Sequence, residues 1–186
     1  MSLKKYLITD PKYYRYDYFE NDLRSAIERY EPDFILFRDK STENYQNIAE
    51  NFCSFIKKYP VKALLHSDYK LAKELECYGV HLTSSNFDDI EESKKLNLYT
   101  AVSTHSEIEI SKAVELGADA VTYSPIFGKE KGEPKGVEEL KRVINGWSSR
   151  IDIFALGGII TEKEVTQLKS IENLYGFASI RAFLPN

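Results

Sequence analysis

Arg38 and Lys40 stand one residue apart, just past the apolar run 34–37. Strand alternation sets Phe34, Leu36, Arg38 and Lys40 on one face, so two cations that cannot pair with each other project together from the strand's end. Such a pair suits a phosphate or a carboxylate; its competing use is a surface ion pair with Asp39 or Glu43. Gly157-Gly158, after the apolar stretch 153–156, offers the complementary chemistry, because backbone N–H groups without a Cβ beside them can approach an anion closely. Arg181, after the small-residue run 176–180, adds a third cation or makes an outward ion pair. Ser103 and His105 are different in kind. A histidine can move a proton near neutral pH and a serine hydroxyl can hold a ring substituent, the competing use of His105 being to cap the helix that follows. Ser124 and Ser179 close two further short runs and join the binding candidates, whereas His81 sits inside the run 79–82 and reads as a satisfied core histidine.

These residues fall at the ends of short apolar segments, and such segments alternate with helical ones along the chain. Strands are predicted at 6–9, 34–37, 61–65, 79–82, 98–102, 120–123, 151–156 and 176–180. Between them, apolar residues at helical spacing predict helices, clearest in Tyr45, Ile48, Ala49, Phe52, Phe55 and Ile56, with others at 71–78, 88–96, 107–116, 137–144 and 162–168. Eight strands joined by helical crossovers call for parallel pairing, and that number suits closure. The expected fold is α/β, a (β/α)8 TIM barrel in one domain over 1–186, with a truncated or missing eighth helix because little chain follows position 180. The outer side of the eighth strand then needs a cover, which either a second copy in a homodimer or the tyrosine-rich segment 13–19 supplies.

Composition bounds the partners. At 42% hydrophobic and 29% charged residues, 186 residues can bury one sizeable core, and a net charge of −4 without a basic run favours neither nucleic acid nor an anionic membrane surface. Any affinity for phosphate is therefore local. Cys53 and Cys77 lie in predicted helices without metal-ligand spacing and read as buried thiols in a reducing compartment. With no leader-like apolar stretch at the start, the expected location is cytoplasmic.

The order of Ser103-Thr104-His105-Ser106, Gly117-Ala118-Asp119-Ala120, Tyr123-Ser124-Pro125-Ile126-Phe127 and Phe154-Ala155-Leu156-Gly157-Gly158-Ile159 resembles the thiamin-phosphate synthase and TenI family, from Tyr6 onward. Phe37-Arg38-Asp39-Lys40 stands where that family has a Leu-Arg-Glu-Lys-like stretch, and the Ser-x-His pattern is kept. The resemblance implies a small-molecule ligand, a thiazole phosphate or thiamin phosphate.

The departures from the synthase pattern are specific. Synthases hold magnesium diphosphate with two aspartates; at those places this chain has His66-Ser67 and Asn86, with Asp68 and Asp88 close by. Neutral side chains replace carboxylates poorly as magnesium ligands, so no cofactor is expected unless the synthase reading holds. The synthase Thr-x-Thr-Lys stretch is replaced by the glycine-rich, charged loop 128–136, which lacks a hydroxyl and reads as mobile. Thr83-Ser84-Ser85-Asn86-Phe87 is similar to the TenI branch, whose members are thiazole tautomerases, but that branch's acid–base histidine aligns with Pro125. His66, in parity with Leu64 at the end of the third strand, can supply the missing imidazole, so His66 and His105 are the catalytic candidates. The leading expectation is a TenI-like thiazole tautomerase. The alternatives are a thiamin-phosphate synthase with displaced magnesium ligands, a non-catalytic carrier or sensor of such phosphates, and an unrelated phosphate-binding barrel.

Overall fold

A computed structural model describes residues 2–15, 19–128 and 132–184. Eight strands, β1 (Lys4–Ile8), β2 (Phe34–Phe37), β3 (Lys62–His66), β4 (Gly79–Leu82), β5 (Tyr99–Thr104), β6 (Ala120–Tyr123), β7 (Asp152–Leu156) and β8 (Gly176–Ser179), pair in parallel and in sequence order. The pairing of β1 with β8 closes the barrel, Tyr6 opposing Ala178. Seven helices cover it: α1 (Phe19–Tyr30), α2 (Tyr45–Ile56), α3 (Tyr69–Glu74), α4 (Asp89–Lys95), α5 (Glu107–Glu115), α6 (Gly136–Trp147) and α7 (Glu162–Lys169). Among the described residues β8 is followed by a 3-10 turn, Arg181–Phe183. Among the described residues no helix is long and apolar enough to cross a membrane.

Period-two alternation explains the two cores. Inward-facing Tyr6, Ile8, Phe34, Leu36, Leu64, Ala101, Ala120, Phe154 and Ala178 fill the barrel, where the rings of Tyr6, Phe34 and Phe154 lie within 5.1–5.6 Å of one another and alanines face them. The alternate residues, among them Leu7, Ile35, Leu65, Val102, Val121 and Ile153, face outward and pack beneath the helices. Polar residues take over where each strand leaves the filled interior, which is why the strand ends form a mouth.

Two expectations change. Helix α3 lies earlier than the predicted 71–78, because the Asp68 carboxylate caps it by accepting the Leu71 N–H at 2.8 Å, and Glu76, at φ +55°, stops it. Cys77 therefore lies in the turn before β4. There it forms a disulfide with Cys53 of α2, across a Cα–Cα distance of 6.3 Å. The reading of two free buried thiols is corrected: both cysteines are buried, but consecutive βα units place α2 beside the α3–β4 turn, a neighbourhood that sequence spacing does not reveal. One of the arguments for a reducing compartment goes with it.

The seam at β8 is covered from within the chain. Phe183 stacks on Phe177 of β8 and meets the Tyr30 ring edge-on, while the hydroxyls of Tyr14 and Tyr30 donate to the carbonyls of Phe183 and Leu184 at 3.1 and 2.8 Å. Tyr14 and Phe183 are buried. Of the segment expected to fold across the seam, residues 16–18 lie outside the described residues. This packing takes away the sequence argument for a homodimer through β8.

Candidate functional site

The C-terminal ends of the strands surround a cavity of about 600 Å³. Every candidate named from sequence lines it: Arg38, Lys40, His66, Ser103, His105, Ser124, Gly157, Gly158, Ser179 and Arg181. The residues that sequence reasoning missed are Asp10 and Lys12, which follow β1 by the same strand-end rule, and His81. Thr83, Ser84 and Ser85 line it as well.

The cationic side is partly balanced. Arg38 lies just past β2 and its guanidinium donates to the Asp10 carboxylate at 2.8 Å, both side chains being about three-quarters covered. Lys40 is exposed at the rim. Lys135 points elsewhere, its ammonium 3.3 Å from Glu139 and over the Tyr123 ring. Lys129 and Lys131, in the loop that reads as mobile, lie outside the described residues.

The Gly157-Gly158 turn lines the same cavity. Both glycines have positive φ, +100° and +71°, and a Cβ on Gly158 would come within 2.1 Å of the Gly128 nitrogen. The glycines are thus demanded first by the close packing of the β6–α6 loop, whose Phe127 N–H donates to the Gly157 carbonyl at 2.9 Å. The N–H groups of Gly158 and Ile159 have no hydrogen-bond partner among the described residues, which leaves two backbone donors on the cavity wall. Arg181 opens the 3-10 turn beside them. The Ser179 hydroxyl is committed within the protein: it donates to the Ile159 carbonyl at 2.7 Å and accepts from the Ala182 N–H at 3.1 Å, tying the glycine turn to the turn that carries Arg181.

The three imidazoles have distinct settings. His105 is exposed, with Nδ1 3.1 Å from the Ser124 carbonyl and 3.2 Å from its hydroxyl. A carbonyl can only accept, so Nδ1 carries the hydrogen and, in the neutral ring, Nε2 keeps its lone pair. His66, at the end of β3, contacts the Ser67 hydroxyl at 3.1 Å; burial first, then the charges of Lys40 and Arg38, lower its pKa to about 4, so the ring is neutral. His81 is buried, as expected of a core histidine, yet it also reaches the cavity: Nδ1 is 2.8 Å from the Tyr6 hydroxyl and Nε2 is 2.9 Å from the Ser103 hydroxyl.

The donor set does not make a magnesium site. Among the described residues Asp10 is the one carboxylate on the main cavity, and it is paired with Arg38. The Ser67 hydroxyl contacts His66, the Asn86 side-chain oxygen accepts from Thr83 at 2.6 Å, one Asp68 oxygen caps α3, and Asp88 is exposed. Among the described residues no three acidic, cysteine or histidine side chains cluster as ligands.

Known proteins place this architecture. The chain is 30% identical over 185 residues to the putative thiamine-phosphate synthase 2 of Aquifex aeolicus, covering 96% of each chain. It is 27% identical over 135 residues to the thiamine-phosphate synthase of Pectobacterium atrosepticum, a match to 69% of this chain and 63% of that protein, so there it spans less than two thirds of its relative. Among solved structures, the thiamine phosphate pyrophosphorylase from Pyrococcus furiosus superposes with a TM-score of 0.80 at 22% identity, covering 96% of this chain and 85% of that one, a likeness of fold. The thiamine monophosphate synthase family model matches residues 5–183, and the chain therefore belongs to that family.

Proposed function

We propose that this protein is an enzyme of thiamin biosynthesis that takes a thiazole phosphate into the barrel mouth and joins it to a pyrimidine diphosphate, the reaction for which its relatives are named. The observation that supports the reading is one cavity lined by Arg38, Lys40 and Arg181 together with the Gly158 and Ile159 N–H groups, which have no hydrogen-bond partner among the described residues. Joining the two halves expels diphosphate, so the charge to be stabilised is that of a departing anion. Fixed cations and backbone donors do this without reorganising during the reaction. In this reading the Gly157-Gly158 turn and Arg181 hold the thiazole phosphate, Arg38 and Lys40 hold the diphosphate, and Ser103 and Ser124 orient the rings. No step is routed through a metal, since the residues present do not fit one.

The relatives' names favour this synthase reading over the tautomerase expected from the sequence. One observation supports the tautomerase: His66, held neutral, and His105, with Nε2 unprotonated in its neutral form, line a cavity that also has Arg38, Lys40 and Arg181 and, among the described residues, no carboxylate pair. Isomerising a thiazole carboxylate phosphate needs only a proton taken and returned.

The test pairs two assays, one for condensation and one for isomerisation. Thiazole phosphate with the pyrimidine diphosphate, with and without magnesium, should give thiamin phosphate by mass spectrometry. The thiazole carboxylate phosphate alone should be unchanged by NMR. Absence of condensation with rapid isomerisation would replace the first reading by the second, and His66→Ala, His105→Ala should then lose ~10²- to 10⁴-fold in turnover. Binding with neither reaction would leave the carrier.

A further inference from the structure

Tyr6, His81 and Ser103 form a chain of hydrogen bonds that runs from the filled interior to the cavity wall. Tyr6 is fully buried on β1, and its hydroxyl lies 2.8 Å from His81 Nδ1. His81 on β4 is 3% exposed, and its Nε2 lies 2.9 Å from Oγ of Ser103 on β5, which is half-buried and lines the cavity.

We propose that Tyr6 locks His81 in the tautomer with hydrogen on Nε2, and that His81 thereby takes up one Ser103 lone pair and leaves the Ser103 hydrogen to be donated toward the ligand. The group that receives that hydrogen is a lone-pair acceptor, such as an unprotonated ring nitrogen, a carboxylate or a phosphoryl oxygen. His81 and Tyr6 are positioning residues in this scheme; Ser103 makes the contact.

The rings of Phe34, Phe154 and His81 surround the Tyr6 ring at 5.6, 5.1 and 5.7 Å, and the Tyr6 hydroxyl has no other hydrogen bond among the described residues. A phenol with one nitrogen as its only polar neighbour donates to it; otherwise its hydrogen is stranded among carbon atoms. Nδ1 is then the acceptor, and a neutral imidazole must carry its hydrogen on Nε2. Nε2–H donates to Ser103 Oγ, so the serine's own hydrogen is free to turn into the cavity. Two states that would break this count are disfavoured: burial raises the Tyr6 hydroxyl well above its ordinary pKa, and burial, then His66 and Arg38, lowers His81 to about 3. The chain also ends at Tyr6, so it is no proton wire to solvent.

The ring state can be read without any substrate. The chain has three histidines, and long-range proton–nitrogen NMR correlation of ¹⁵N-labelled protein at neutral pH, with His66→Gln and His105→Gln for assignment, reports which nitrogen of His81 bears hydrogen. We expect Nε2–H in the native protein and a mixture of tautomers in Tyr6→Phe. Hydrogen on Nδ1 in the native protein, or an unchanged Nε2–H signature in Tyr6→Phe, would overturn the lock.

The ligand half rests on the functional reading and uses thiazole phosphate as the calorimetric probe. His81→Gln can still offer an N–H to Ser103, and we expect it to bind within about threefold of native, whereas His81→Leu should lose about tenfold, the equivalent of about 1.4 kcal/mol. Equal losses in both would show a role in packing alone and overturn the positioning role. Native protein that binds no thiazole phosphate would overturn the functional reading instead, and the ring spectrum would then decide the lock alone.

Discussion

The guanidinium of Arg38 lies 2.8 Å from the carboxylate of Asp10, on the neighbouring strand end, so a main cation of the mouth is half-neutralised before any ligand arrives. Both side chains are largely covered, which makes the pair stronger than a surface one without making it free of competition. An incoming phosphate must share Arg38 with a resident anion. Replacing Asp10 by Asn keeps a hydrogen-bond acceptor for the guanidinium and removes that charge, and we expect inorganic phosphate to bind about three- to tenfold more tightly, an effect that shrinks as salt is added. Calorimetry at two ionic strengths checks this, and weaker binding would mean that Asp10 matters for orienting Arg38 more than for its charge.

Arg181 enters the cavity on a 3-10 turn pinned through the Ser179 hydroxyl. Arg181→Ala should weaken thiazole phosphate binding by ~1.5 to 3 kcal/mol, the usual contribution of a charge-assisted hydrogen bond. A calorimetric loss below about 0.5 kcal/mol would take Arg181 out of the site.

The Cys53–Cys77 bond closes a loop of sequence separation 24 between two buried positions. Cross-linking a loop of that size stabilises by about 3 kcal/mol in the chain-entropy description. Urea unfolding of the native protein with and without a reductant should show a loss near that size, matched by the Cys53→Ala, Cys77→Ala variant. Identical midpoints in all three would show that the bond does not stabilise the protein.

Acid should destabilise the fold through its imidazoles. His66, lowered to about 4, and His81, lowered to about 3, are neutral in the folded protein, while unfolded histidines titrate near 6.5. Below that value the unfolded chain takes up protons that the folded chain refuses. The stability they support is therefore present above about pH 6.5 and is lost as the pH falls, toward 4 for His66 and toward 3 for His81, at up to about 1.4 kcal/mol per pH unit for each ring. Urea titrations between these limits measure the slope, and a His66→Gln, His81→Gln variant should flatten it; an unchanged slope would assign it to other groups.

Much of this was legible in the residue pattern because barrel strands are short and buried on both faces, so their ends stand out as a change from apolar to small or polar residues. That rule located Arg38, Ser103, His105, Ser124, Gly157, Gly158 and Arg181, all of which line the cavity. The same rule reaches Asp10, which directly follows the predicted strand 6–9. His81 escaped because a mid-strand position in a short strand can still reach the floor of the mouth, and strand length alone does not tell how deep the filling layer runs. The Cys53–Cys77 bond escaped because it depends on how neighbouring helices lie over the sheet, which periodicity does not encode.

The pairing of β1 with β8 brings the first and last strands together beneath the cavity. Arg38 follows the second strand and Arg181 the last, so the cations that would grip a phosphate come from opposite sides of the closing seam. Building the anion site and shutting the barrel are thus one event. A ligand whose anionic groups reached both arginines would act as a latch across that seam, stabilising the closed form by mass action and slowing any opening that begins with β8 peeling from β1.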